Sequence, residues 1–413
     1  MSKDDSRSTA LLPTIGWSVY LAVSWTWCIG MFFPVLVMRD FGVPGYLAFA
    51  LPNVIGAAAM GWILRSPEAS RRFVERHRGA CAAFSVVTVI FHLAFVLHVI
   101  YPLDALRVGA LGVVGVLLGS LVLTAIDRPR SVALVVYLVS VGVIAALATR
   151  VGLPLESVDP VATEAAGALR LRAHEVVYLL PVCIFGFLLC PYLDLTFHRA
   201  RQHLSGGSSK LGFGLGFGLF FFAMILFTPL YAGLFVPEYR PAGARPSTFV
   251  LNAIVLHLAA QVAATIAFHL RGLRDLRSFG PARPLMVGLV AIALLTLAFI
   301  AMPRAGAPLP PALADAEDKL VWYRVLLSNY GLVFPAYMWL LAIPTADGHA
   351  GPGGLEGRRK LRVLVIAIAL AAPCFWVGFI ERETWWLAPG MMVLIVARLF
   401  VRPRERRYLA DAS

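Results

Sequence analysis

The sequence predicts an all-α integral membrane protein of about twelve transmembrane helices. Three observations carry that reading. Hydrophobic residues fill 59% of the 413 positions and charged residues only 14%, with a mean hydropathy of +0.79. A water-soluble domain cannot hide that much apolar surface. The apolar residues are gathered in runs of about twenty, the length that spans a hydrocarbon core of about 30 Å at 1.5 Å per residue. Basic residues concentrate in alternate connections, as the positive-inside bias of membrane proteins requires.

The runs are 15–38, 44–64, 80–101, 105–126, 131–149, 175–198, 211–236, 248–270, 284–302, 321–343, 361–380 and 385–401. The first is too long for a signal-peptide core and lacks a small-x-small cleavage site, so it is expected to be a retained helix. With the N-terminus in the cytoplasm, 25 of the 36 basic residues fall on the inside, and both termini are expected there. Among the connections, 150–175 is the longest and carries Glu156, Asp159, Glu164 and Glu175. The connection 303–319 is rich in Ala and Pro, and 345–357 is a Gly-rich tether. None is long enough for a separate soluble domain, so 1–413 reads as one membrane domain.

The formal net charge of +13 belongs with cytoplasmic loops. No basic segment interleaves aromatics in the manner of a single-strand binder, and nucleic acid is not an expected partner. Cys28, Cys81, Cys183, Cys190 and Cys374 contain no Cys-x2-Cys pair, so they read as small packing residues rather than a zinc or redox site. Only four basic residues are lysine, a bias that hints at a GC-rich bacterial genome and hence a bacterial inner membrane.

Two runs are interrupted. In 179–201, LLPVCIFGFLLCPYLDLTFHRAR, Gly186 and Pro191 break an apolar helix that then carries Asp194. In 23–40, VSWTWCIGMFFPVLVMRD, Gly30 and Pro34 do the same and Arg39 and Asp40 close the run. Proline removes a donor and clashes one turn back, and glycine lowers the cost of leaving helical geometry. Within a bilayer such a break is tolerated only where it is buried or lines a wet cavity. Its half-helix ends present N–H groups to anions and C=O groups to cations. The two interrupted runs are the first and the sixth. Five runs repeated in inverted topology, 15–149 and 175–343, followed by two extra helices at 361–401, is a known transporter plan.

That plan resembles the leucine-transporter-like (LeuT) fold of the amino acid/polyamine/organocation superfamily, whose members include sodium:solute and nucleobase–cation symporters. The passage GMFFP at 30–34, followed by Gly42 and Pro44, is similar to the family's link from first to second helix. The segment CPYLDLTFHR at 190–199 resembles the exit of the sixth helix in nucleobase–cation symporters, with Asp194 three residues after Pro191 rather than adjacent to it. The resemblance implies a secondary active transporter of a small organic solute, working by alternating access, with no resident cofactor and with Na+ or H+ as coupling ion. Its unwound segments would hold ligand at Trp25, Trp27, Gly30, Gly186, Cys190, Tyr192 and Asp194. Ion coupling would fall to Thr26, Asp194 and Thr265, although Ala263 and Ala264 stand where the family carries a hydroxyl pair with the last of these.

Other readings of the same residues stay open. Asp194 could instead form a structural salt bridge with Arg199 or Arg201. His198 could snorkel to the cytoplasmic face. His92, His98 and Asn53 read as hydrogen-bonding glue between helices, and Asn329, Tyr330 and Tyr337 as an outer gate. The glycines of GFGLGFG at 212–218 read as a close-packing face. An integral-membrane transferase acting on a lipid-linked substrate would use His92, His98, Asp194 and His198 catalytically. A non-transporting, transporter-like sensor is the third reading.

Overall fold

The computed structural model describes residues 3–103, 108–151, 172–236, 246–276, 320–343 and 355–401. Within them the chain is helical, with no strand. In order the main helices are α1 (Lys3–Trp25), α2 (Cys28–Ile63), α3 (Pro67–Phe95), α4 (Val108–Ala125), α5 (Pro129–Val151), α6 (Val176–Leu189), α7 (Leu195–His203), α8 (Gly206–Leu215), α9 (Thr248–Leu276), α10 (Val321–Ser328), α11 (Leu355–Phe375) and α12 (Leu387–Ala397); short helices Phe222–Phe227 and Pro229–Phe235 continue α8, and Phe334–Tyr337 continues α10. Short π-helical turns extend α3, α8, α10 and α11. Eight of the described helices are long and apolar enough to cross a membrane. Three shorter apolar helices accompany them: Leu11–Trp25, Gly109–Ala125 and Thr384–Phe400. The ninth expected run, 284–302, lies outside the described residues, as does most of each connection 150–175, 303–319 and 345–357.

The first two expected runs divide differently from their apolar pattern. Helix α1 stops at Trp25, and α2 runs for 36 residues, straight through the expected gap. It is two rods joined at Gly42, whose φ of 66° and ψ of −156° only glycine adopts without strain. Pro44 follows, where a missing N–H costs nothing at the start of the second rod. Helix α3 opens on a local signal: Ser66 Oγ accepts from Ala69 N at 3.1 Å, with Pro67 at the first helical position.

Small residues let the helices approach. At Gly56 of α2 a Cβ would lie 2.6 Å from the Phe187 carbonyl carbon of α6. At Gly61 it would lie 2.6 Å from Phe213 Cβ, and at Gly216 3.0 Å from Ser18 O. Of the GFGLGFG glycines, Gly212 and Gly216 are tightly packed while Gly218 faces open space. Helix α9 packs on α3, α4 and α5, α1 on α5 and α8, and α11 on α12. Leu111, Leu118 and Leu121 of α4 and Val135 and Leu138 of α5 are exposed. In water such a surface would aggregate; in a bilayer it is the lipid-facing side of a multi-pass protein.

Polar contacts between helix ends form two groups. In the first, Arg199 pairs with Asp275 at 3.3 Å and Arg271 with Asp127 at 3.4 Å, while Arg201 donates to the carbonyls of Leu64 and Leu204. In the second, Asp40 pairs with Arg324 at 2.8 Å and with Arg39 and Arg382 at 3.0 Å each. The first group joins connections that the charge pattern expects inside, and the second joins those expected outside.

Candidate functional site

The interruption in the first run lies at Thr26 and Trp27, four residues before the expected one. Gly30 and Pro34 both sit inside α2. Trp27 is extended (φ −78°, ψ 174°), so the carbonyl end of α1 meets the N–H end of α2 there. Thr26 N and Oγ1 both donate to Ala22 O, at 2.9 and 2.8 Å, and Trp27 Nε1 donates to Ser24 O. The new helix start is capped from another helix: Cys28 N donates to His92 Nε2 at 3.2 Å. That acceptor role puts the ring proton on Nδ1, which donates to Thr88 O at 2.7 Å. A tertiary cap, not the Gly/Pro pair, therefore fixes where the helix breaks. Gly30 serves packing, since a Cβ there would lie 3.1 Å from the Phe221 ring.

The second interruption follows Leu189. A 3₁₀ turn, Cys190–Leu193, leads to Asp194, which is extended (φ −79°, ψ 114°) and caps α7. Its Oδ1 accepts from Thr196 N and Thr196 Oγ1, both at 2.7 Å. Its Oδ2 is buried and has no partner, and the whole residue is 0% exposed. Arg199 and Arg201 are engaged with Asp275 and with carbonyls, so neither forms the salt bridge weighed for Asp194. Gly186 lies within α6 and admits α10, because a Cβ there would be 2.8 Å from Tyr330 O. Cys190 Sγ donates to the same carbonyl at 3.3 Å.

The two interruptions share neighbours. Trp27 packs against Tyr330 with ring centroids 5.4 Å apart, and Trp25 against Phe197 of α7 at 4.9 Å. Trp25 and Trp27 touch each other at 4.3 Å, and Trp25 Nε1 donates to Asn53 Oδ1 at 2.6 Å. Across from Trp27 stands His269 of α9, at 5.5 Å, whose Nδ1 meets Ser85 Oγ and whose Nε2 is unpartnered. One turn earlier Thr265 is fully buried, with its Oγ1 also unpartnered. Tyr192 Oη is a further buried hydroxyl without a partner.

These groups lie at similar depth. Trp17 packs against His203 near the first polar end, and eight residues on at about 1.5 Å each put Trp25 about 12 Å further along α1. Asp194 is seven residues from Arg201, about 10 Å, and Thr265 is six from Arg271, about 9 Å.

His198 is not a snorkelling residue. It is 1% exposed, its Nε2 donates to Tyr192 O at 2.8 Å, and its Nδ1 accepts from Ser70 Oγ at 2.8 Å. Both nitrogens of His92 and of His198 are therefore engaged within the protein. Tyr330 packs on Trp27 and bonds Thr88 Oγ1 at 2.8 Å, and Tyr337 bonds His77 at 3.0 Å. His269 escaped the sequence reading because it falls at the end of an apolar run beside a string of arginines. Comparisons with protein families, curated proteins and solved structures return no match.

Proposed function

We propose that the protein is a LeuT-like secondary active transporter of a small organic solute, resident in a bacterial inner membrane with both termini in the cytoplasm. In this reading α1 and the first rod of α2 form crossing one, and the second rod of α2 forms crossing two. Helices α3, α4 and α5 complete the first repeat. Helices α6 and α7 together form crossing six, α8 and α9 are seven and eight, 284–302 is nine, and α10 is ten. Helices α11 and α12 are the two added crossings. Solute binds where Trp25, Trp27 and Tyr192 offer aromatic faces beside the carbonyl and N–H ends of four half-helices. The coupling cation, Na+ or H+, is taken at Asp194, with Thr265 and the carbonyl end of α1 beside Thr26 completing its surroundings.

The observation that carries this reading is the buried, unpartnered Oδ2 of Asp194 at a helix interruption within an apolar run. An acid there is costly unless a cation, a proton or a substrate group uses it. The paired interruption at Thr26 and Trp27, in the first crossing against the sixth, supports the inverted arrangement. The two polar ends support alternating helix direction.

Uptake into proteoliposomes tests the proposal. A panel of labelled amino acids, nucleobases, sugars and organic cations is offered with an inward Na+ gradient, a pH gradient, or neither. Concentrative uptake of one solute class under one gradient is expected. Folded protein that moves none of them under any gradient would defeat the proposal.

A further inference from the structure

We infer that the groove between the second rod of α2 and α6 is a binding site for one phospholipid, with an acyl chain along the groove and the phosphate at Arg172. The groove has a volume of about 490 Å³, and among the described residues every side chain that lines it is apolar. Its walls are two rows at four-residue spacing: Leu47, Leu51 and Ile55 of α2, and Leu180, Ile184 and Leu188 of α6. The small side chain of Ala48, 5% exposed, lies between the rows and leaves the trough open. At one end, one residue past Ile55, the two helices close where Gly56 meets the Phe187 carbonyl. From there to Pro44 and Val176 at the other end the groove follows eleven steps of α2, about 16 Å at 1.5 Å each. That is about half of a hydrocarbon core of about 30 Å, the reach of the acyl chains of one leaflet.

Size and charge together select the occupant. A helix about 10 Å across would displace about 1,300 Å³ over that length, so neither another helix of this chain nor one from a second copy fits within the groove. A single hydrocarbon chain does. Arg172 stands at the Pro44 end: its N–H donates to Asp40 O at 3.0 Å, and its guanidinium lies 5.7 Å from the centre of the Phe41 ring. The side chain is 24% exposed, and among the described residues only its Nη1 has acceptors, Glu175 Oε2 at 3.2 Å and Arg382 O. Nε and Nη2 are left for an acceptor from outside the protein, and phosphate oxygens match that planar fork. His174, exposed on the 3₁₀ turn Ala173–Glu175, offers a second donor beside it.

The inference does not depend on the transport proposal, and a chain that moved no solute would still hold the lipid. Native mass spectrometry of the delipidated full-length protein in detergent tests it. The protein is titrated with dioleoylphosphatidylglycerol, or with dioleoylglycerol, which has the same chains and no phosphate. One phospholipid should bind first, with the next at least about tenfold weaker, and dioleoylglycerol should bind about tenfold or more weakly than that first phospholipid. Arg172→Gln should weaken the first phospholipid by about tenfold or more and leave dioleoylglycerol unchanged. Ile184→Trp, which fills the groove from its exposed wall, should weaken both lipids. Evenly declining adducts with no preferred first phospholipid overturn the inference. So do equal affinities for the two lipids, or an unchanged first affinity in either variant. A dimer that forms without lipid and is lost in Ile184→Trp would seat a second copy against the groove and overturns it too. If Arg172→Gln does not fold, the comparison of the two lipids decides the phosphate contact.

Discussion

Two substitutions of Asp194 should part along the two halves of its carboxylate. Oδ1 holds the start of α7 through Thr196 N and Thr196 Oγ1, while Oδ2 is buried and unpartnered. Asp194→Asn keeps an acceptor in the Oδ1 position, and asparagine caps helices about as well as aspartate. It replaces an unsatisfied oxygen by an unsatisfied amide, so stability should change by no more than about 1 kcal/mol. Asp194→Ala removes the cap, worth about 1 kcal/mol, and strands the buried Thr196 N–H at a further cost of about 1–3 kcal/mol. The alanine variant should therefore unfold about 2–4 kcal/mol more easily than wild type. Flux should behave differently: both variants lack the negative charge, and both should lose ion-coupled uptake. Denaturation in detergent and uptake in proteoliposomes, run on the same preparations, separate the two effects. An asparagine variant as unstable as alanine would refute the capping geometry. An asparagine variant with wild-type uptake and ion dependence would remove the charge from the mechanism.

Two further outcomes concern packing and coupling. Gly56→Ala presses a methyl group onto the Phe187 carbonyl and should destabilise by about 1–3 kcal/mol, whereas Gly142→Ala, with open space around it, should be neutral or gain up to about 1 kcal/mol; equal thermal stabilities would contradict the close approach of α2 and α6. Thr265→Val deletes a buried hydroxyl that has no partner, so stability should hold or rise while any Na+ dependence of uptake falls; unaltered Na+ dependence would take Thr265 out of the coupling site.

The helical membrane architecture was legible because it rests on composition and run length, which need no tertiary information. The existence of two interruptions was legible too, since Gly and Pro in an apolar run have local consequences. Their positions were not. The first is fixed by the ring of His92, 64 positions from Cys28, and no local pattern pairs those residues. Gly30 and Gly186, read as hinges, instead make room for Phe221 and for the backbone of α10. Asp194 stood out as an acid within a run, and it proved to be both a cap and a buried unpartnered group. Arg39 and Asp40 looked like the end of a helix. Their union with Arg324 and Arg382 spans up to 342 positions and is visible only in the fold.

In the proposed transporter the two interruptions open in turn to either side of the membrane. Cys28 and Cys190 stand beside them, and both are buried. The direct measurement is labelling of these two thiols in oriented vesicles by a small membrane-impermeant thiol reagent, added outside or trapped inside, with Na+ and pH gradients imposed in each direction. Single-cysteine proteins retaining only one of the two are compared with a Ser205→Cys control, whose position is exposed. Labelling of Cys28 or Cys190 is expected from one side under one gradient and from the other side when the gradient is reversed. Protection of both thiols from both sides under every gradient, with the control labelled, would contradict it.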